Sequence, residues 1–85
     1  MSYGVARVDR DSASNQLIIR GSPDVVVEDR PAAFAYDSIN AAGVAVIQGA
    51  STVFINDKPI ARESDLMADG MPIANGSNTV KAEEK

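Results

Sequence analysis

Apolar residues in this chain come in short runs broken by polar pairs, turn residues and prolines. Val5–Val8, Leu17–Ile19, Val25–Val27, Val44–Ile47 and Thr52–Ile55 are rich in β-branched residues and are predicted to be strands. Asp9–Gln16 is polar and is predicted to be a loop. The run ending at Ile55 is followed by Asn56-Asp57, two residues that tolerate φ > 0, and then by Lys58-Pro59-Ile60-Ala61. Strand, tight turn and return strand in that order predict a hairpin. Val25–Val27 repeats the pattern, with Glu28-Asp29 at the turn and Pro31 on the return.

The stretches Pro31–Asn40 and Pro59–Asp69 are open to two readings. Asp29 and Asp57 have the chemistry of helix N-caps, and Gly43 and Gly70 stand where a helix would end. Neither stretch carries a clean apolar stripe, and Ser38, Asn40, Ser64 and Asp65 are poor helix-interior residues. The residues by themselves lean only slightly toward strand.

A repeat underlies the pattern. Gly49 − Gly21, Pro59 − Pro31 and Asp65 − Asp37 all equal 28. Gly76-Ser77-Asn78-Thr79-Val80 starts a third unit, and Val5-Ala6-Arg7-Val8 resembles Ile60-Ala61-Arg62-Glu63, an ending without a beginning. Two complete repeats flanked by two halves make three units. Internal repetition outranks local propensity as evidence about architecture. The three glycines Gly21, Gly49 and Gly76 are expected to share a backbone role.

With 85 residues, the chain is expected to form a single domain over 1–85, and its core must be thin, because only 5% of residues are aromatic. Domains of this size need disulfides, a metal or a partner to be stable. The absence of Cys and His removes the disulfide and the usual zinc site, leaving attachment to a larger protein. A net charge of −4 without a basic stripe argues against nucleic acid. Ala41–Ile47, the longest apolar run, is far short of a membrane span, and Met1–Asp11 lacks the apolar core of a signal peptide. The expectation is synthesis in the cytoplasm without a Sec-type leader.

Candidate chemistry is sparse. Asp11, Asp37 and Asp65 are either a carboxylate cluster on a repeat axis or turn residues bonding to local backbone, and the second reading is favoured. Asp65 and Asp69 lack the spacing of a calcium loop. The serines Ser22, Ser38, Ser51 and Ser64 have no histidine to activate them, so no triad is available. No enzyme, cofactor or metal is expected. Phe54 is read as a core residue.

The segments Gly21-Ser22-Pro23-Asp24-Val25-Val26-Val27-Glu28-Asp29-Arg30-Pro31-Ala32-Ala33 and Gly49–Arg62 resemble the repeats of the PAAR proteins, and the resemblance covers nearly the whole chain. It implies a mostly β, small cone-shaped pseudo-threefold domain of short strands and hairpins. It also implies a structural cap on a trimeric β-helical spike, one chain per trimer. Such a cap sharpens the spike of a phage tail or type VI secretion needle for membrane penetration, touching the target membrane only transiently. The alternative is a small β-rich binding module that carries an effector or recognises a surface ligand. The namesake motif is incomplete: Phe34 follows Pro31-Ala32-Ala33, and Pro59 is followed by Ile60-Ala61-Arg62.

In the family, His and Cys near the point hold zinc. The matching stretches here, Ser12–Asn15, Ser38–Ala42 and Leu66–Asp69, hold neither residue. Hydrogen bonds among Asp and Ser, or an apolar plug of Leu66, Met67 and Met71, are the candidate replacements. The residues assigned to the partner face are Val25, Val26, Val27, Thr52, Val53, Phe54, Ile55, Thr79 and Val80. No nucleic acid and no self-assembly are expected, and the loops after Asp37 and Asp65 are directed toward the point.

Overall fold

The computed structural model describes residues 2–50, 53–55 and 57–84. Its strands are β1 (Ser2–Gly4), β2 (Ser12–Ala13), β3 (Gln16–Leu17), β4 (Val26–Val27), β5 (Arg30–Pro31), β6 (Phe54–Ile55), β7 (Lys58–Pro59) and β8 (Lys81–Glu84). They form four antiparallel pairs, β2–β3, β4–β5, β6–β7 and β1–β8. Isolated bridges link these pairs, and the principal extents are nearly equal at 26 × 24 × 24 Å. The described residues contain no helix. The fold is the small mostly β domain expected.

The three repeat units meet at one closed ring of backbone bonds. Ala6 N–H donates to Ala61 O at 3.0 Å, Ala61 N–H to Ala33 O at 3.0 Å, and Ala33 N–H to Ala6 O at 2.9 Å. Only alanine-sized side chains let three strands converge this closely, and all three are fully buried. Residues on either side form further threefold sets. Val8, Ala35 and Glu63 N–H donate to Pro31, Pro59 and Gly4 O, while Ser22, Ala50 and Ser77 N–H donate to Ala32, Ile60 and Val5 O. The third unit is completed by the two chain ends, β8 supplying the outgoing strand and β1 the return.

The hairpins fall into two tiers. In one, β4–β5, β6–β7 and β1–β8 cover a cluster of Val5, Val27, Ala32, Ala50, Ile60 and Ala82. In the other, chain segments 12–18, 39–46 and 66–73 surround a second cluster that includes Ile18, Val46, Ile73 and Met67. Bridges Ala13↔Ile73, Ile18↔Asn40 and Val46↔Met67 stitch each segment of this tier to its neighbour.

Several local expectations are corrected. Asp9–Gln16 is no simple loop: Ser14 and Asn15 both take φ > 0, at 54° and 63°, and make the two-residue turn of β2–β3. Asp29 and Asp57 are left-handed turn residues, not helix caps. Gly43 and Gly70, at φ 84° and 85°, close hairpin turns, with their N–H groups bonded to Asn40 O and Met67 O. Val44–Ile47 contributes bridges at Ala45 and Val46. Phe54 is 56% exposed, so it is no core residue: in β6 it faces away from the cluster that Ile55 packs against.

The glycine expectation has a structural counterpart. A Cβ at Gly21 would lie 2.6 Å from Ala32 O, at Gly49 2.8 Å from Ile60 O, and at Gly76 2.5 Å from Gly4 O. Each glycine lets one unit begin directly against the return strand of its own hairpin.

Candidate partner-binding face

The three hairpins β4–β5, β6–β7 and β1–β8 present equivalent positions outward. Val5, Ala32 and Ile60 N–H donate to Val80, Val25 and Val53 O. One residue further on, Lys81, Val26 and Phe54 stand opposite Gly4, Pro31 and Pro59. Of the residues assigned to the face, Val26, Val53, Phe54, Thr79 and Val80 are exposed, and Val25 and Ile55 are half-buried. Val27 is buried and faces the core. Thr52 lies outside the described residues.

Charged residues brace the frame behind this face. Arg7 Nε reaches Asp11 Oδ2 at 2.7 Å and its Nη2 reaches Oδ1 at 3.0 Å, while Arg7 N–H donates to Oδ2 at 2.9 Å. The unit that begins at Gly49 repeats the arrangement: Arg62 N and Nε donate to Asp65 Oδ2 at 2.7 and 2.9 Å, and Nη2 to Oδ1 at 2.9 Å. In the unit that begins at Gly21 the ion pair is replaced as a pair. Phe34 takes the arginine position, and Ser38 Oγ accepts the Phe34 N–H at 2.9 Å. The counterpart of Asp65 is therefore Ser38 and not Asp37, because the Gly49 unit is one residue shorter at this corner. Asp37 is at the surface, 3.8 Å from Arg20.

Glu28 is a junction that sequence reasoning missed. Its carboxylate accepts bonds from Arg7 Nη1 at 2.6 Å, Ser77 Oγ at 2.6 Å and Thr79 Oγ1 at 3.0 Å. It thus ties the start of the terminal unit to the first. Bonds from Ser77 and Thr79, with the Arg7 charge, hold its carboxyl below the usual glutamate range. The Arg7 guanidinium is pushed up, first by its bond to Asp11. The spacing Arg-x-x-x-Asp in 7–11 was the available signal for the first pair. No local signal marks Glu28, whose hydroxyl partners are 49 and 51 residues away.

Asp11, Asp37 and Asp65 do not converge, and the described residues contain no group of three His, Cys, Asp or Glu able to hold a metal. Within the stretches 12–15, 38–42 and 66–69, which match the family's zinc-binding loops, the fully buried Ala13, Asn40 and Met67 occupy equivalent places. Asn40 Oδ1 accepts the N–H groups of Ala42 and Val44, and its Nδ2 donates to Ala13 O. Zinc does not fit this donor set, whose one side-chain oxygen is already engaged. The plug expected of Leu66, Met67 and Met71 reduces to Met67, fully buried, while Leu66 and Met71 are exposed. A cleft of about 310 Å³ is lined by Arg7, Arg10, Glu28, Asp29 and Arg30, with its charges nearly balanced and no nucleophile.

The sequence profile of the PAAR motif matches residues 8–75. The chain belongs to the PAAR family. A relative, the double-stranded DNA deaminase toxin A of Burkholderia cenocepacia, is 40% identical over 76 residues. The match covers 79% of this chain but only 5% of that protein. PAAR proteins are structural, and they cap spike proteins at the tip of secretion apparatus. No helix among the described residues is long and apolar enough to cross a membrane.

Proposed function

We propose that residues 1–85 act as a single PAAR cap, one chain seated on the end of one trimeric β-helical spike and sharpening it for membrane penetration by a contractile injection apparatus. The observation that carries this reading is the closed ring of three units with three equivalent hairpins on one tier. A threefold end offers three equivalent sets of unpaired strand groups, and one chain with three like hairpins meets all of them at once. The face set by Val25, Val26, Val53, Phe54, Ile55, Thr79 and Val80 is the seat, and the tier of segments 12–18, 39–46 and 66–73 is the point. Rigidity is what such a role demands, and the buried Arg–Asp pins and ring bonds provide it. The chain needs no catalytic group and does not assemble with itself.

A second reading, carriage of an effector, is favoured by the relative, a toxin of which this region is a small part. Because Ser2 pairs with Glu84, a segment appended at either end would leave from the same hairpin. The test is to mix the purified chain with a candidate trimeric β-helical spike protein and weigh the complex. One chain per trimer is expected. Three chains per trimer, or no complex, would sink the cap and promote the binding module.

A further inference from the structure

We infer that this chain is recognised at its three equivalent positions Val26, Phe54 and Lys81 through its main chain, by strand addition from the end of a homotrimeric strand-built partner. The inference rests on the spike-cap reading and names its mode of contact. Its first ground is symmetry. A homotrimer presents three identical seats, yet this chain fills the three equivalent outward positions with valine, phenylalanine and lysine. One seat cannot be shaped for all three side chains. What the positions share is the backbone.

The second ground is the register. Val5, Ala32 and Ile60 N–H bond to Val80, Val25 and Val53 O, so those pairs occupy hydrogen-bonded positions. Antiparallel pairs alternate, and the next residues, Lys81, Val26 and Phe54, therefore occupy non-hydrogen-bonded positions against Gly4, Pro31 and Pro59. Their N–H and C=O groups point away from their own hairpin. Prolines opposite two of the three have no N–H to offer in any case.

The third ground is that each hairpin has one edge closed and one open. The return strands are closed by the neighbouring unit, since Pro31, Pro59 and Gly4 O accept bonds from Val8, Ala35 and Glu63. The outgoing edges at Val26, Phe54 and Lys81 receive no such cover among the described residues, and Val26 and Phe54 are 59% and 56% exposed. Lys81 suits this arrangement: an edge contact leaves its side chain free to reach water, whereas a flat apolar seat would bury its charge.

The test compares proline with alanine at the same positions, with the trimeric spike protein as probe. Val26→Pro and Phe54→Pro remove an N–H that the hairpin does not use, so both variants are expected to keep the fold, checked by thermal melting. Each should weaken binding about tenfold more than Val26→Ala or Phe54→Ala, the effect of one lost backbone bond. Amide hydrogen exchange gives a second readout that needs no variant: Val26, Phe54 and Lys81 should gain protection in the complex. If a proline variant does not fold, the exchange result decides. Proline equal to alanine, or these three amides exchanging equally fast free and bound, overturns main-chain recognition while leaving the cap intact. Failure of the parent chain to bind the trimer overturns the cap reading and this inference with it.

Discussion

Replacing Asp65 by alanine should cost this domain a large share of its stability. The Asp65 side chain is fully buried, and that of Arg62 is 5% exposed. Removing the carboxylate takes three bonds at 2.7–2.9 Å from Arg62, two of them made by its guanidinium. The guanidinium keeps the Gly49 carbonyl at 3.1 Å, which carries no countercharge. Breaking a buried pair from one side costs about 3–5 kcal/mol, because the surviving charge remains desolvated. At roughly 0.05–0.15 kcal/mol per residue, the whole domain has about 4–13 kcal/mol available. A fall in melting temperature of at least about 12 °C is therefore expected, taking ~4 °C per kcal/mol as the lower bound.

Ser38→Ala, at the equivalent position of the Gly21 unit, strips one neutral acceptor from the Phe34 N–H and should cost only about 1–3 kcal/mol. The paired replacement can be run backwards at the same spacing as Arg7–Asp11. Phe34→Arg and Ser38→Asp should each destabilise alone, and the double variant should recover part of the loss, a coupling of about 0.5–3 kcal/mol. Urea unfolding of the parent and the five variants measures all of this. Asp65→Ala within about 1 kcal/mol of the parent at unchanged m-value, or strictly additive Phe34→Arg and Ser38→Asp, would refute the view that these pairs pin the corners.

The acid limb of stability should depend on Glu28. Its folded carboxyl sits below its ordinary value of 4.5, so its contribution is complete above that pH and is lost as pH falls through the folded value; Glu28→Gln should flatten urea midpoints in this range. Gly49→Ala should destabilise by about 1–3 kcal/mol because its Cβ meets Pro59 and Ile60 backbone, whereas Ala68→Ser, at an exposed position, should melt with the parent. Elemental analysis should find no stoichiometric zinc, and a chelator should leave the melting temperature unchanged; one zinc per chain would contradict the reading of the Asn40 site.

The repeat was legible in the sequence because it is enforced locally. A glycine is required wherever the backbone packs against its own return strand, so Gly21, Gly49 and Gly76 announced three units. The match of Val5-Ala6-Arg7 to Ile60-Ala61-Arg62 located the split unit for the same reason: only alanine fits the ring. Hairpin turns at Glu28-Asp29 and around Asp57 followed from residues tolerant of φ > 0. The constant offset of 28 misled at one corner. Ser38, offset by 27, does what Asp65 does, and only the bonds to Phe34 N–H and Arg62 N–H reveal it. Tyr36 was equally hidden. It takes φ 73° as the counterpart of Asp9 and Ser64, a corner imposed by the ring on a residue that does not favour it. From the sequence Phe54 is read as core, although it sits in a two-residue strand whose faces alternate. Its place in β6 turned it outward, since strand alternation gives the inner position to Ile55. Glu28 could not be read from its neighbours at all. Its bonds to Ser77 and Thr79 exist only once the two chain ends have met, and that closure is a property of the folded ring.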